Sequence, residues 1–357
     1  MDREKKFSGV RAAAGRLAGN AAARTVLAAA CIALLLLAPV LVNSYVQRIL
    51  VMIALYGVLS ISLNYIVGYL GEISLGHAAF YAIGAFTSVY LTKKCGVNYF
   101  PASLVGALVA AAAGVLMAVL TMRMRGIYLA VTTMGFLEVV RAVILNWRKV
   151  TGGSQGMSSI GKPVLFGFKF TLTNGGYYYL ILFYLLLTIV VTRLVISSRM
   201  GRAFKAIRED ALAAQFVGIN LYAFKIWAFV ISAFFAGLAG AFYAHFLGYI
   251  NNNTFTYSIS VSILCMVILG GRGTIRGALA GAVILAPMSE LLRSLTEAMS
   301  GLPGWLISNP ERWRFVIYGA ILVLMMRFRP QGLLGGRGKA PYKLPKGVNV
   351  EARHGVD

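Results

Sequence analysis

The sequence predicts an all-α, polytopic membrane helical bundle of about ten transmembrane helices, and three observations carry that prediction. Hydrophobic residues fill 59% of 357 positions and charged residues only 13%, with a mean hydropathy of +0.76. A water-soluble globule of this size cannot bury so much apolar surface. The apolar residues also run in long unbroken blocks rich in Leu, Ala, Val and Gly, unlike the short alternating strands of an outer-membrane barrel. Basic residues gather between those blocks and at the tails, where bilayer-crossing segments end.

Blocks of roughly 17 to 25 apolar residues place spans near 25–42, 49–69, 74–92, 101–121, 126–146, 177–196, 222–247, 256–270, 276–297 and 313–328. Only Tyr69-Leu70-Gly71-Glu72-Ile73 separates the second from the third, and 256–270 is short. The run from Val26 to Val42 follows Arg16 and Arg24 as in a signal peptide. It ends in Leu41-Val42-Asn43-Ser44 without a small-x-small cleavage site, so it reads as an uncleaved first span. Residues 1–24 then form a basic cytoplasmic segment, 25–330 the transmembrane domain, and 331–357 a polar tail rich in Pro, Gly and Lys that is expected to be disordered. No loop is longer than about 35 residues, too short for a separate soluble domain.

With ten spans both termini share a side. That side collects 23 of the 34 lysines and arginines, against 11 on the other. The richer face is expected in the cytoplasm, with the 197–220 segment, while the 147–176 and 248–255 loops face out. The formal net charge of +23 therefore reports topology, not contact with nucleic acid. The outer loop carrying Arg148, Lys149, Lys162 and Lys169 runs against the bias.

Several kinds of chemistry are missing. Cys31 and Cys265 fall inside spans and Cys95 beside a short loop, which gives neither a paired framework nor metal-ligand spacing. His77 and His245 have no ligand partner at helical spacing and read as histidines bonded within helix interfaces. Gly270-Gly271-Arg272-Gly273 lacks the Lys and hydroxyl of a phosphate-cradling loop. An intramembrane enzyme would need a catalytic constellation, and none converges from His77, His245 and Glu72.

Ionisable residues within spans are functional pointers, because an unpaired charge there is costly. Glu138 with Arg141, and Glu290 with Arg293, stand three apart on one helical face and can neutralise each other. Glu72 has no local partner and stands in a glycine-flanked break expected near the membrane surface. With Asn64, Ser74, His77, Thr132 and Thr133, it is a candidate to line a path for a small polar solute. Small residues around them favour close helix approach. A short echo pairs Gly71-Glu72-Ile73-Ser74-Leu75-Gly76 with Gly273-Thr274-Ile275-Arg276-Gly277; transporters build midplane sites from such repeated breaks, though two short glycine motifs more often match by chance.

The most distinctive segment is Ser197 to Asn220, helix-prone and of mixed charge between long apolar blocks. Arg199, Arg202, Lys205 and Arg208 precede Glu209 and Asp210, and an Ala-rich tail runs to Gly218. Simple anchoring by cations needs no acidic pair, so the segment reads as a short cytoplasmic helix docked on a soluble partner.

At these residues the chain resembles the inner-membrane permeases of ATP-binding-cassette importers for branched-chain amino acids, of the LivM type. The matching stretches are Gly71 to Ala85, Arg125 to Gly156, Ser198 to Gly218, Ile268 to Gly281 and Arg327 to Gly335. The resemblance implies a coupling helix marked E-A-A-x-x-x-G. Ala213-Ala214-Gln215-Phe216-Val217-Gly218 fits its last six places, Leu212 occupies the Glu position, and the usual later I-x-L-P is missing. The implied coupling residues are Arg202, Lys205, Arg208, Glu209, Asp210, Ala213, Ala214 and Gly218. Also implied are a homologous second permease, two ATPases that bind ATP and Mg while this chain binds no cofactor, and a periplasmic or lipid-anchored receptor. The receptor would deliver an amino acid near Thr151, Gly152, Gly153, Gln155 and Gly156. Urea or short amides as solutes, or ion-coupled transport by the chain alone, are the competing expectations.

Overall fold

The computed structural model describes residues 42–288, apart from 125, 166–167 and 173, together with residue 39 and the short pieces 318–320, 323–324, 327–328 and 332–334. The segment 1–24, nearly all of the span expected at 25–42, much of that at 313–328, the Glu290–Arg293 pair and most of the tail lie outside the described residues.

Helix α1 (Ser44–Asn64) passes into a π-helix, Tyr65–Leu70. An extended strap, Gly71–Gly76, leads to α2 (His77–Lys94), and α3 (Tyr99–Leu120) and α4 (Ile127–Asn146) follow. After one short turn of helix, α5 (Arg148–Thr151), comes a ladder of two residues a side, β1 (Val164–Leu165) with β2 (Phe168–Lys169). The chain continues through α6 (Gly176–Ser197), α7 (Arg199–Glu209), α8 (Ala211–Phe216), α9 (Leu221–Leu247), α10 (Tyr257–Gly270) and α11 (Ile275–Leu285).

Six helical runs among the described residues are long and apolar enough to cross a membrane: Ser44–Leu70, Tyr99–Leu120, Ile127–Asn146, Gly176–Ser197, Leu221–Leu247 and Asn252–Gly270. They match six expected spans to within a few residues. α2 starts later than the expected 74, because residues 71–76 stay outside any helix. The helix expected at 276–297 ends at Leu285 within the described residues.

Helix α9 is the axle, packed on α1, α2 and α3. Its small residues set the spacing. A Cβ on Gly84 of α2 would strike the Gly237 backbone, and one on Gly240 would strike the Tyr81 carbonyl. Such contacts bring helix backbones together where no hydrophobic drive between helices exists in lipid. Phe229, Phe242, Tyr81 and Phe255, all fully buried, fill the space that remains.

The bundle has two ends. At one, the 121–124 turn, the α1–α2 break, α7, α8 and the 271–274 turn meet. At the other, the segment after α4 folds on the one after α9: Met157 bridges Ile250, Ile160 N–H donates to Gly248 O, and Lys93 Nζ donates to Ser158 O at 2.8 Å. These groupings match the two faces expected from the basic residues.

Candidate functional site

Leu70 ends the first described crossing, so the last carbonyls of the helix lack partners within it. Arg208 of α7 takes one of them: its Nη1 donates to Gly68 O at 2.6 Å. A cation at a helix C-terminus also suits the helix dipole. The approach depends on glycine. Gly71 (φ +84°) would place a Cβ 2.8 Å from Arg208 Cγ, and Gly273 (φ +80°) would place one 2.6 Å from Nη1. Burial of the guanidinium lowers its pKa from the ordinary value, Arg272 adds to the effect and Glu209 opposes it.

Asn64, buried one turn before Gly68, staples the two glycine breaks together. Its Oδ1 accepts from Gly273 N–H at 2.9 Å and its Nδ2 donates to Thr274 O at 3.2 Å. Gly332-Leu333-Leu334 closes the same joint, with Leu333 N–H on Leu269 O and Leu334 N–H on Gly270 O, both at 2.9 Å. The breaks that echo each other in sequence therefore converge on α7 at the end of the bundle. The first break follows the 27-residue apolar run Ser44–Leu70, which is long enough to cross a membrane, in keeping with the expectation that it stands near the membrane surface.

The strap beyond Gly71 brings Glu72, which has no local partner, to a distant one. Glu72 is paired, with Lys225 Nζ 3.0 Å from Oε1, and the side chains are 18% and 6% exposed. The same ammonium donates to Thr121 O at 2.8 Å and Met124 O at 2.9 Å, so one lysine of α9 ties the strap to the α3–α4 turn. A cavity of about 250 Å³ lies alongside, lined among others by Glu72, Arg123, Gln215, Tyr222 and Lys225.

Further along the strap, Leu75 N–H donates to Thr133 Oγ1 of α4 at 3.0 Å, and Ala78 N–H to Ser260 Oγ of α10 at 2.9 Å. His77 opens α2 beside Ser62, two residues, roughly 3 Å, before the end of α1. Ser62 Oγ donates to Leu59 O and lies 2.8 Å from His77 Nε2, which makes the hydroxyl the acceptor of an Nε2–H. Asn64, Ser74, His77 and Thr133 are all buried between helices. Thr132 is half-buried and donates to Tyr128 O on its own helix.

The expected single coupling helix is two. Asp210 breaks it by capping α8, its Oδ1 accepting from Leu212 N–H at 2.8 Å and Ala213 N–H at 3.1 Å. An Asp immediately before Ala-Leu-Ala-Ala is a helix start, a signal that was present in the sequence. Ser198 caps α7 in the same way through Met200 N–H. Gly218 (φ +85°) follows α8 in open space, the left-handed conformation that commonly ends a helix. Arg202, Lys205, Glu209 and Ala213 are exposed, whereas Ala214 is buried against the chain itself. α8 instead projects Leu212, Phe216 and Val217, which are 59%, 91% and 75% exposed. Their apolar character within a polar segment was the overlooked signal.

At the other end Thr151 is buried, its Oγ1 donating to Trp147 O and accepting from Gly153 N–H. Gly152, Gly153 and Gly156 all take positive φ, 78°, 61° and 69°. Gln155 is exposed, and its carbonyl accepts from Tyr249 Oη at 3.1 Å.

Comparison with known proteins places the chain in a family. The family described as the permease component of branched-chain amino acid transport systems matches residues 45–326. The chain belongs to that permease family. The LivM permease protein of the high-affinity branched-chain amino acid transport system of Escherichia coli is 34% identical over 85% of this chain and 74% of its own length. LivH of the same system is 32% identical over 41% of this permease and 42% of its own length. LsrC, an autoinducer import system permease protein of Salmonella paratyphi B, is 27% identical over 56% and 54%. No solved structure matches. The relatives are permease subunits of multi-subunit transport systems, not enzymes, and this permease is likewise a multi-pass membrane protein.

Proposed function

We propose that this permease forms half of a translocation pathway with a homologous second permease and imports branched-chain or related amino acids across the inner membrane. Two cassette ATPases bind ATP and Mg and dock on α7 and α8, while this chain binds no cofactor. A periplasmic or lipid-anchored receptor docks at the opposite end, near Gln155. Closure of the ATPases moves α7 and α8 and switches the bundle between outward and inward access. The joint end, with both chain termini, lies in the cytoplasm, consistent with the basic residues gathered there.

The observation that carries this reading is the geometry of α7 and α8. One side is fastened to the bundle through Arg208, and the other offers Leu212, Phe216 and Val217 to solvent beside the exposed Arg202, Lys205 and Glu209. An apolar anchor with a charged rim is how a docking surface combines affinity with orientation. The test is Phe216→Asp in the complex reconstituted with both permeases, the ATPases and the receptor. ATP-driven uptake should fall by about tenfold or more, as for a buried interface anchor, while the permease pair stays intact. Uptake at the wild-type rate would overturn the assignment.

A further inference from the structure

The exposed faces of the membrane-crossing helices are not equivalent. α3 presents Leu104, Leu108, Val115, Leu116 and Val119, and α6 presents Tyr179, Phe183, Leu186 and Val190, all apolar and suited to lipid. α4 is exposed along Ile127, Tyr128, Val131, Met134, Gly135, Glu138 and Ala142, which recur at helical spacing. This face carries a charge at mid-span. Glu138 lies eleven residues from the helix start, roughly 16 Å along a 30 Å helix, near the centre of a bilayer.

Glu138 is bound to Arg141 on the same helix, with Nη1 at 2.9 Å from Oε1 and 2.8 Å from Oε2. The two side chains are 48% and 20% exposed. Arg141 Nε is buried and makes no hydrogen bond among the described residues. A carboxylate half exposed at the bilayer centre is too costly to face acyl chains, so this face lines water or protein. One turn earlier, Gly135 leaves open space: a Cβ there would meet nothing within 4 Å.

We propose that Glu138 and Arg141 bind the passing amino acid as a zwitterion. The two part from each other, the Glu138 carboxylate taking the α-ammonium and the Arg141 guanidinium the α-carboxylate, with Gly135 leaving room for the side chain. The empty site stays neutral because each group is the other's counter-ion. An occupied site stays neutral as well, because the solute brings one charge of each sign. A singly charged amine or acid would leave one protein charge unmatched, which makes the site selective against both. The inference rests on the reading of the chain as an amino-acid permease and places a binding element within that pathway.

The test is uptake of labelled leucine by the full reconstituted complex, with receptor-stimulated ATP hydrolysis measured beside it. Glu138→Gln and Arg141→Gln should each lower leucine uptake per ATP by about tenfold or more, the loss of one charged hydrogen bond. The exchange of both, E138R with R141E, keeps an ion pair on the helix and should restore assembly but not uptake, because the exchanged charges meet the solute in the wrong order. Wild-type uptake in the exchange variant would show a merely structural pair and overturn the proposal. Gly135→Cys in a cysteine-free background gives a second measure. It should react with a membrane-impermeant thiol reagent, and reaction only with lipid-soluble reagents would place the face in lipid and defeat the idea. If the wild-type complex imports no leucine, the amino-acid reading itself fails. If it does and all the variants match it, only this inference fails.

Discussion

Replacing Lys225 by Met removes the ammonium and keeps most of the stem volume, so packing around α9 changes little. What changes is electrostatic. The Glu72 carboxylate, 18% exposed, loses a cation 3.0 Å away, and the carbonyls of Thr121 and Met124 lose a charged donor at 2.8 Å and 2.9 Å. Breaking a buried pair by removing one partner costs about 3–5 kcal/mol. The residual access of Glu72 to water argues for the lower part of that range, about 3 kcal/mol. Removing the charge from Glu72 as well, as Gln, should recover part of the loss, with a coupling of about 1–2 kcal/mol between the positions. Stability is read from reversible denaturant titrations of the purified permease in mixed micelles, for wild type, Lys225→Met, Glu72→Gln and the double variant. A cost below about 1 kcal/mol for Lys225→Met, or strict additivity across the cycle, would refute the view that this pair clamps the strap.

Two other substitutions address the joint. Gly71→Ala forces an L side chain to φ +84° with its Cβ 2.8 Å from Arg208 Cγ. It should cost about 1–2 kcal/mol in backbone strain and, by displacing Arg208 from Gly68 O, lower uptake per ATP in the reconstituted complex more than it lowers stability. Asp210→Ala removes the cap of α8 at about 1 kcal/mol. Asp210→Asn keeps an acceptor and should retain ATPase assembly in pull-down, so equal loss in both would show that charge, not capping, is what matters at 210.

Much of this architecture is legible in the sequence because it rests on local signals. Apolar block length gives the crossings, small residues mark the faces around α9, and the isolated charges between Ser197 and Asn220 reveal an element outside the bundle. The joint is less legible for a physical reason. Lys225 meets Glu72 across 153 positions, and Arg208 meets Gly68 across 140. A cation's choice of carbonyl at such distance leaves no periodic trace. Glu72 therefore showed no local partner, and the bond from the exposed Arg208 to Gly68 left no sign in the sequence. The glycine echo did point to the right residues, since Gly71 and Gly273 both flank Arg208, but it carried no information on depth. The exposed apolar face of α8 was readable in principle: Leu212, Phe216 and Val217 are large apolar residues in a segment otherwise charged or small.

Arg208 couples more of the bundle than its single hydrogen bond suggests. Its side chain lies between Gly71, at the end of the first described crossing, and Gly273, in the turn between α10 and α11. Asn64 binds those two backbone segments to each other, so a displacement of α7 cannot move one without the other. Glu72 follows Gly71 directly and is clipped by Lys225 to the turn from which α4 starts. On the proposed coupling, a push on α7 would reach α1, α10 and α11 through one staple and α3, α4 and α9 through the other, both built from backbone carbonyls and part-buried polar groups. α4 is the lightly packed member of this set, with a charged face at mid-span. If the bundle is driven from the joint as proposed, α4 is the crossing best placed to change what it presents to a solute.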